Sequence, residues 1–166
     1  MAYHLRLLAL TLLLLCSFSL SVQAENRPPA PSFSLPAVNG TGKLSLADFK
    51  GKVVYLDFWA TWCAPCRQSF PWMDRLYEEY KDQGLVVLAV GIDHKGELLK
   101  KFVQELEPAF PVAHDNEGKV YREYGLRAMP TTYLIDRSGR IAFTQMGFRE
   151  DKKAGLREKL EALLRE

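Results

Sequence analysis

Two cysteines three positions apart, in Trp62-Cys63-Ala64-Pro65-Cys66, directly follow the apolar run Val53-Val54-Tyr55-Leu56-Asp57-Phe58-Trp59. A Cys-x-x-Cys placed where a strand gives way to a helix sets its first thiol at the helix N-terminus, where unpaired backbone N–H groups and the helix dipole favour thiolate over thiol. Cys63 is therefore the candidate nucleophile. Cys66, one turn on, can attack a mixed disulfide formed at Cys63, so the pair can exchange electrons with another dithiol. Half of a zinc site is the competing reading, but zinc usually takes four ligands, and His94 and His114 sit in different segments of the chain. An inert bridge is the other, and closing so short a loop restrains the unfolded chain little. No metal and no cofactor is expected.

The third cysteine, Cys16, falls in a leader-like segment. His4 and Arg6 precede a leucine-rich run from Leu7 to Leu15, and Val22-Gln23-Ala24 has the small-residue pattern that signal peptidase cuts. Residues 1–24 are the expected signal peptide, leaving Glu25 as the new N-terminus. A retained anchor over residues 5–22 is the alternative, since that stretch is nearly long enough to cross a bilayer. Acylation of Cys16 is disfavoured by the bulky Leu15 before it. Each option exports the domain across the inner membrane, so the expected location is the periplasm. The formal net charge of +2 falls to +1 when Arg6 leaves with the leader, and such a balance gives no footing for a nucleic-acid partner. Lys152, Lys153, Arg157 and Lys159 are interspersed with Asp151, Glu158 and Glu161, as on a solvated helix face.

The elements that must position the cysteines can be read from punctuation and periodicity. Pro28, Pro29, Pro31 and Pro36 make residues 25–36 an extended, proline-rich lead-in, and residues 37–166 suffice for one domain with a full core. Val53 to Trp59 is nearly continuous in apolar character, which predicts a central strand covered on both faces. Phe70, Met73, Leu76, Tyr77 and Tyr80 recur at helical spacing from Cys63 to about Gln83, with Gly84 as the stop and a bend expected at Pro71. Leu85 to Ile92 reads as a second buried strand, Glu97 to Glu107 as a helix, Pro108 to Ala113 as an extended piece and Lys119 to Tyr124 as a helical turn. Thr131 to Asp136 and Ile141 to Gly147 form a hairpin around Arg137-Ser138-Gly139-Arg140, and a last helix runs from about Asp151 to Leu164. This order predicts an α/β fold, a mixed central sheet with helices on both faces.

The stretch from Asp57 to Cys66, with Pro71 beyond it and Met129-Pro130-Thr131 far downstream, resembles the thioredoxin superfamily over nearly the whole mature chain. The leader, the Thr61-Trp62-Cys63-x-Pro65-Cys66 form, the extra segment from about Asp93 to Val120 and the run Tyr124 to Gly139 resemble its periplasmic TlpA/ResA-like branch. The resemblance implies a thioredoxin-like fold, with an extra strand and helix segment between the second core strand and a cis Met129–Pro130 bond facing the cysteines. It implies that the backbone of Met129 pairs with an extended substrate segment, that Pro130 blocks metal, and that Trp62, Met129, Pro130 and Thr131 form the substrate-binding side. It also implies a buried acid, Asp57, beneath the resolving thiol. A buried carboxylate has a raised pKa and can take the proton of Cys66. At Ser69 the chain departs from the pattern: branch members that act in cytochrome c maturation carry glutamate there. His94 and His114 have no supporting motif and read as surface or loop histidines.

The expected function is a periplasmic thiol–disulfide oxidoreductase that reduces disulfides in exported proteins through a Cys63/Cys66 cycle. Ala64-Pro65 resembles the dipeptides of the reducing side of the superfamily, and the branch implies a membrane thiol reductase of the CcdA or DsbD kind as electron donor. The alternatives are a disulfide-donating oxidant, a thiol peroxidase suggested by Phe110-Pro111-Val112 through Gly118, and a copper-binding chaperone using two thiolates and a histidine.

Overall fold

The computed structural model describes residues 26–166. The leader expected over residues 1–24, the anchor alternative over residues 5–22 and Cys16 lie outside the described residues. The strands are β1 (Ser34–Pro36), β2 (Lys43–Ser45), β3 (Val53–Trp59), β4 (Leu85–Gly91), β5 (Val112–His114), β6 (Thr131–Ile135) and β7 (Ile141–Met146). The helices are α1 (Ala64–Tyr80), α2 (Gly96–Leu106), α3 (Lys119–Glu123) and α4 (Glu150–Arg165).

The central sheet has the order β5-β4-β3-β6-β7, and β1 and β2 form a separate antiparallel pair. β3, β4 and β5 are mutually parallel, whereas β6 pairs antiparallel with β3 and β7 antiparallel with β6. Parallel neighbours need a crossover, and α1 supplies it between β3 and β4. The architecture is the α/β one that the order of elements implied, with α2, β5 and α3 filling the segment between β4 and Pro130. α1 continues through Pro71 to Tyr80. The proline deprives the carbonyl of Arg67 of its helical donor without ending the helix. Gly84, at φ +96°, then turns the chain into β4 in a conformation that side chains resist.

All seven residues of β3 are buried, and their alternation divides the core. Val53, Tyr55 and Trp59 face a cluster closed by Phe70, Met73 and Leu76 of α1, Leu99 and Val103 of α2, and Leu156, Leu160 and Leu163 of α4. Val54, Leu56 and Phe58 face the opposite cluster, closed by Phe33 and Leu35 of the lead-in and by Val120 and Tyr124 at α3. Trp59 packs edge-to-face with Phe70, ring centroids 4.7 Å apart, and the Phe58 ring lies 5.0 Å from that of Tyr124. The part of the lead-in that is described is held tightly. Tyr124 donates its hydroxyl to the carbonyl of Pro31, Pro29 bridges to Arg140, and Arg27 pairs with both Asp136 and Glu166.

Candidate active site

β3 ends at Trp59, and residues 60–62 turn the chain into α1. Cys63 is the N-cap of that helix: its backbone is extended and its Sγ accepts the N–H of Cys66 at 3.3 Å. Pro65 sits in the first turn, where an N–H would have no helical partner in any case. Cys63 and Cys66 are joined in a disulfide with Cα atoms 5.3 Å apart, so the structure is that of the oxidised pair. Cys63 keeps 5% of its surface exposed and Cys66 none. Of the two, Cys63 is therefore the one that solvent can reach.

Asp57 points to the same face of β3 as Tyr55 and Trp59, the face that holds both cysteines. It is buried, and burial raises its carboxyl to about 7, opposed in part by a hydrogen bond from Thr132. Thr132 stands directly across from it on β6 and donates its hydroxyl to Oδ1 at 2.7 Å. Because that proton is committed, the hydroxyl of Tyr55, 3.3 Å from Thr132 Oγ1, is the donor in the next link. Oδ2 of Asp57 has no partner among the described residues. One oxygen is thus fixed and the other is free to receive a proton near neutral pH, which is what a thiol about to become a nucleophile requires.

The loop before Cys63 is fastened by a residue that the sequence did not single out. Asp93, two residues beyond β4 and buried, accepts the backbone N–H of Thr61 at 3.0 Å and the Thr61 hydroxyl through its other oxygen. Its own carbonyl accepts Nε2 of His114 at 2.6 Å, and Arg67 donates to the carbonyl of Thr61 at 3.2 Å. His114 therefore has a structural partner, while His94 is exposed. No local motif could have revealed Asp93, because its partner lies 32 residues away.

On the open side, Trp62 is 68% exposed beside the nearly closed Cys63. The Met129–Pro130 peptide is cis. Met129 packs against the cluster that holds the cysteines, and with Trp62 it lines a groove of about 380 Å³. Pro130 is buried, its carbonyl accepts the N–H of Gly147, and Thr131 closes the turn by donating its hydroxyl to the carbonyl of Ala128. Among the described residues the N–H and C=O of Met129 have no hydrogen-bond partner. Ser69 is buried and gives its hydroxyl back to the carbonyl of Cys66 at 2.7 Å. Among the described residues no three His, Cys, Asp or Glu side chains converge to hold a metal ion, and no helix is long and apolar enough to cross a membrane.

Residues 27–144 match the AhpC/TSA family. The chain is 37% identical over 148 residues to the thiol-disulfide oxidoreductase ResA of Bacillus cereus, covering 89% of this chain and 82% of that protein. Over 115 residues it is 41% identical to ResA of Oceanobacillus iheyensis, covering 68% of this chain and 60% of that one. Among solved structures, one described as a thiol:disulfide interchange protein DsbE from Chlorobium tepidum superposes with a TM-score of 0.80 at 45% identity, over 83% of this chain and 96% of its own. An exposed lipoprotein thioredoxin from Streptococcus pneumoniae superposes with a TM-score of 0.69 at 37% identity, over 80% of this chain and 100% of its own.

Proposed function

From a chain that belongs to the AhpC/TSA family and is a protein-disulfide oxidoreductase of thioredoxin-like fold, we propose a periplasmic enzyme that reduces disulfides in exported proteins. The Cys63 thiolate attacks one sulfur of the client disulfide. The client S–S bond breaks, a Cys63–client disulfide forms, and the other client cysteine leaves as a thiolate that takes up a proton. Cys66 yields its proton to Asp57 and attacks Sγ of Cys63, releasing the second client thiol and closing Cys63–Cys66. Two electrons pass to the client, and a dithiol of a membrane reductase of the CcdA or DsbD kind restores the pair.

The observation that carries the reducing direction is the single donor that reaches Cys63 Sγ in the oxidised pair. Sγ accepts one backbone N–H, that of Cys66, and Pro65 withholds another. A strongly stabilised thiolate makes an oxidant, because it favours the reduced form, and fewer donors shift the pair towards reductant. The exposed ring of Trp62 beside Cys63 and the unpaired backbone of Met129 support docking of an extended client strand. The exported location rests on the leader-like residues 1–24, and the likeness to an exposed lipoprotein thioredoxin accords with it.

Equilibration of the Cys63–Cys66 pair against dithiothreitol and glutathione buffers tests the direction. A potential close to about −270 mV, the thioredoxin end of the range, is expected. A value close to about −120 mV would make the protein a disulfide donor instead.

A further inference from the structure

The groove beside the redox pair carries two arginines that no carboxylate pairs with among the described residues. Trp62, Ile92, Leu126 and Met129 give it an apolar wall, and Arg122 and Arg127 line it with exposed side chains. Arg122 donates to the backbone carbonyl of Glu117 at 3.0 Å, and among the described residues neither guanidinium has a carboxylate partner. Arg27, Arg149 and Arg157, by contrast, each contact a carboxylate at 3.0 Å or less. Glu117 is the one carboxylate among the lining residues. Arg67, held to the carbonyl of Thr61, adds a further cation at the same loop. A nearly neutral chain thus presents a locally positive groove that reaches Trp62, the neighbour of Cys63, and low-dielectric walls focus such a field.

We infer that the groove selects client segments with an acidic side chain near the disulfide cysteine and an apolar one beside it. The inference rests on the reading of Cys63–Cys66 as a client reductase. A guanidinium and a carboxylate form short, charge-assisted, bidentate hydrogen bonds, and an arginine with no internal carboxylate breaks no ion pair to make them. The apolar neighbour covers the exposed ring of Trp62 next to Met129. In an extended segment, side chains two residues apart share a face, so both contacts can come from one short strand docked along the groove.

The test mixes reduced protein with two disulfide-linked peptides that are identical except for Glu or Lys two residues from each cysteine, and follows oxidation of the pair by tryptophan fluorescence. The ratio of the two rate constants is independent of how reactive the Cys63 thiol is. At low ionic strength the Glu peptide is expected to react about tenfold faster, and the ratio to fall towards one as salt screens the rim charges. It is expected to fall below one in R122E/R127E and to persist in K152E/R165E, which carries the same charge change on α4. A wild-type ratio within about twofold of one overturns the inference, since a steering charge would exceed that. So does a ratio that R122E/R127E leaves intact or that K152E/R165E abolishes equally. Bis(2-hydroxyethyl) disulfide, uncharged and too small to fill the groove, separates the two levels. Failure of wild-type protein to react with it overturns the reductase reading and the inference with it.

Discussion

At Asp57, the burial that stabilises a central strand works against a charge. With the carboxyl raised to about 7 by that burial, the folded protein holds a proton that the unfolded chain gives up near pH 4. The folded state thus binds more protons between those values. Its stability from this source is complete at low pH and is lost as pH rises towards 7. Asp57→Asn removes the dependence, so urea unfolding from pH 4.5 to 8 should show the variant gaining on the wild type, by at most a few kcal/mol at about 1.4 kcal/mol per pH unit. The same change should slow release of a client from Cys63 and flatten the rise of that step through pH 7, as seen in single-turnover release assays. Cys66→Ser, which removes the resolving thiol altogether, should instead trap a stable Cys63–client disulfide visible on non-reducing gels. The cysteines could be read from the sequence because their chemistry lies within four residues, and the acid in an apolar strand was conspicuous for the same reason. The Thr132–Tyr55 relay behind it was not, because it depends on the register of β3 against β6.

At the scale of elements, the end of β4 governs the loop that carries the nucleophile. Asp93→Ala would leave both Thr61 donors without their acceptor in a partly buried loop. A loss of about 1–3 kcal/mol in urea unfolding is expected, along with a shift in the potential of the pair, since residues 60–62 would no longer be fixed. Two residues earlier, Gly91 passes so close to α2 that a Cβ would lie 2.1 Å from Cδ1 of the fully buried Leu99. Gly91→Ala should therefore push α2 outward and destabilise the fold by about 1–3 kcal/mol, measurable as a lower urea midpoint. Periodicity made the helices and strands of this region legible, and their observed ends fall close to the expected ones. The packing distance between β4 and α2, and the reach of Asp93 to Thr61, are properties of the assembled layers. A sequence pattern records which face is apolar, but not how near the next layer comes.

Over the whole molecule, the nearly continuous apolar run of β3 foretold two covered faces, while the partner of each face came only with the fold. α1, α2 and α4 share one, and the lead-in joins α3 on the other. The prolines of residues 28–36 marked an extended segment without showing that Phe33 and Leu35 would be core residues. Arg27, bonded to Asp136 and to Glu166, clasps the beginning of this segment to the end of α4. Arg27→Ala should lower stability by about 1 kcal/mol, modest because Glu166 is partly solvated. It should leave the potential of Cys63–Cys66 unchanged, as paired unfolding and redox titrations of the variant would show. The reason for that separation is directional. Asp136 follows Ile135, which pairs with Val54 near the start of β3, whereas Cys63 lies past its finish at Trp59. Seven strand residues, or roughly 20 Å at 3.3 Å each, lie between the two poles. A surface to which the chain were fastened upstream of Arg27 would thus face the blind pole, leaving the sulfur turned outward towards whatever drifts past.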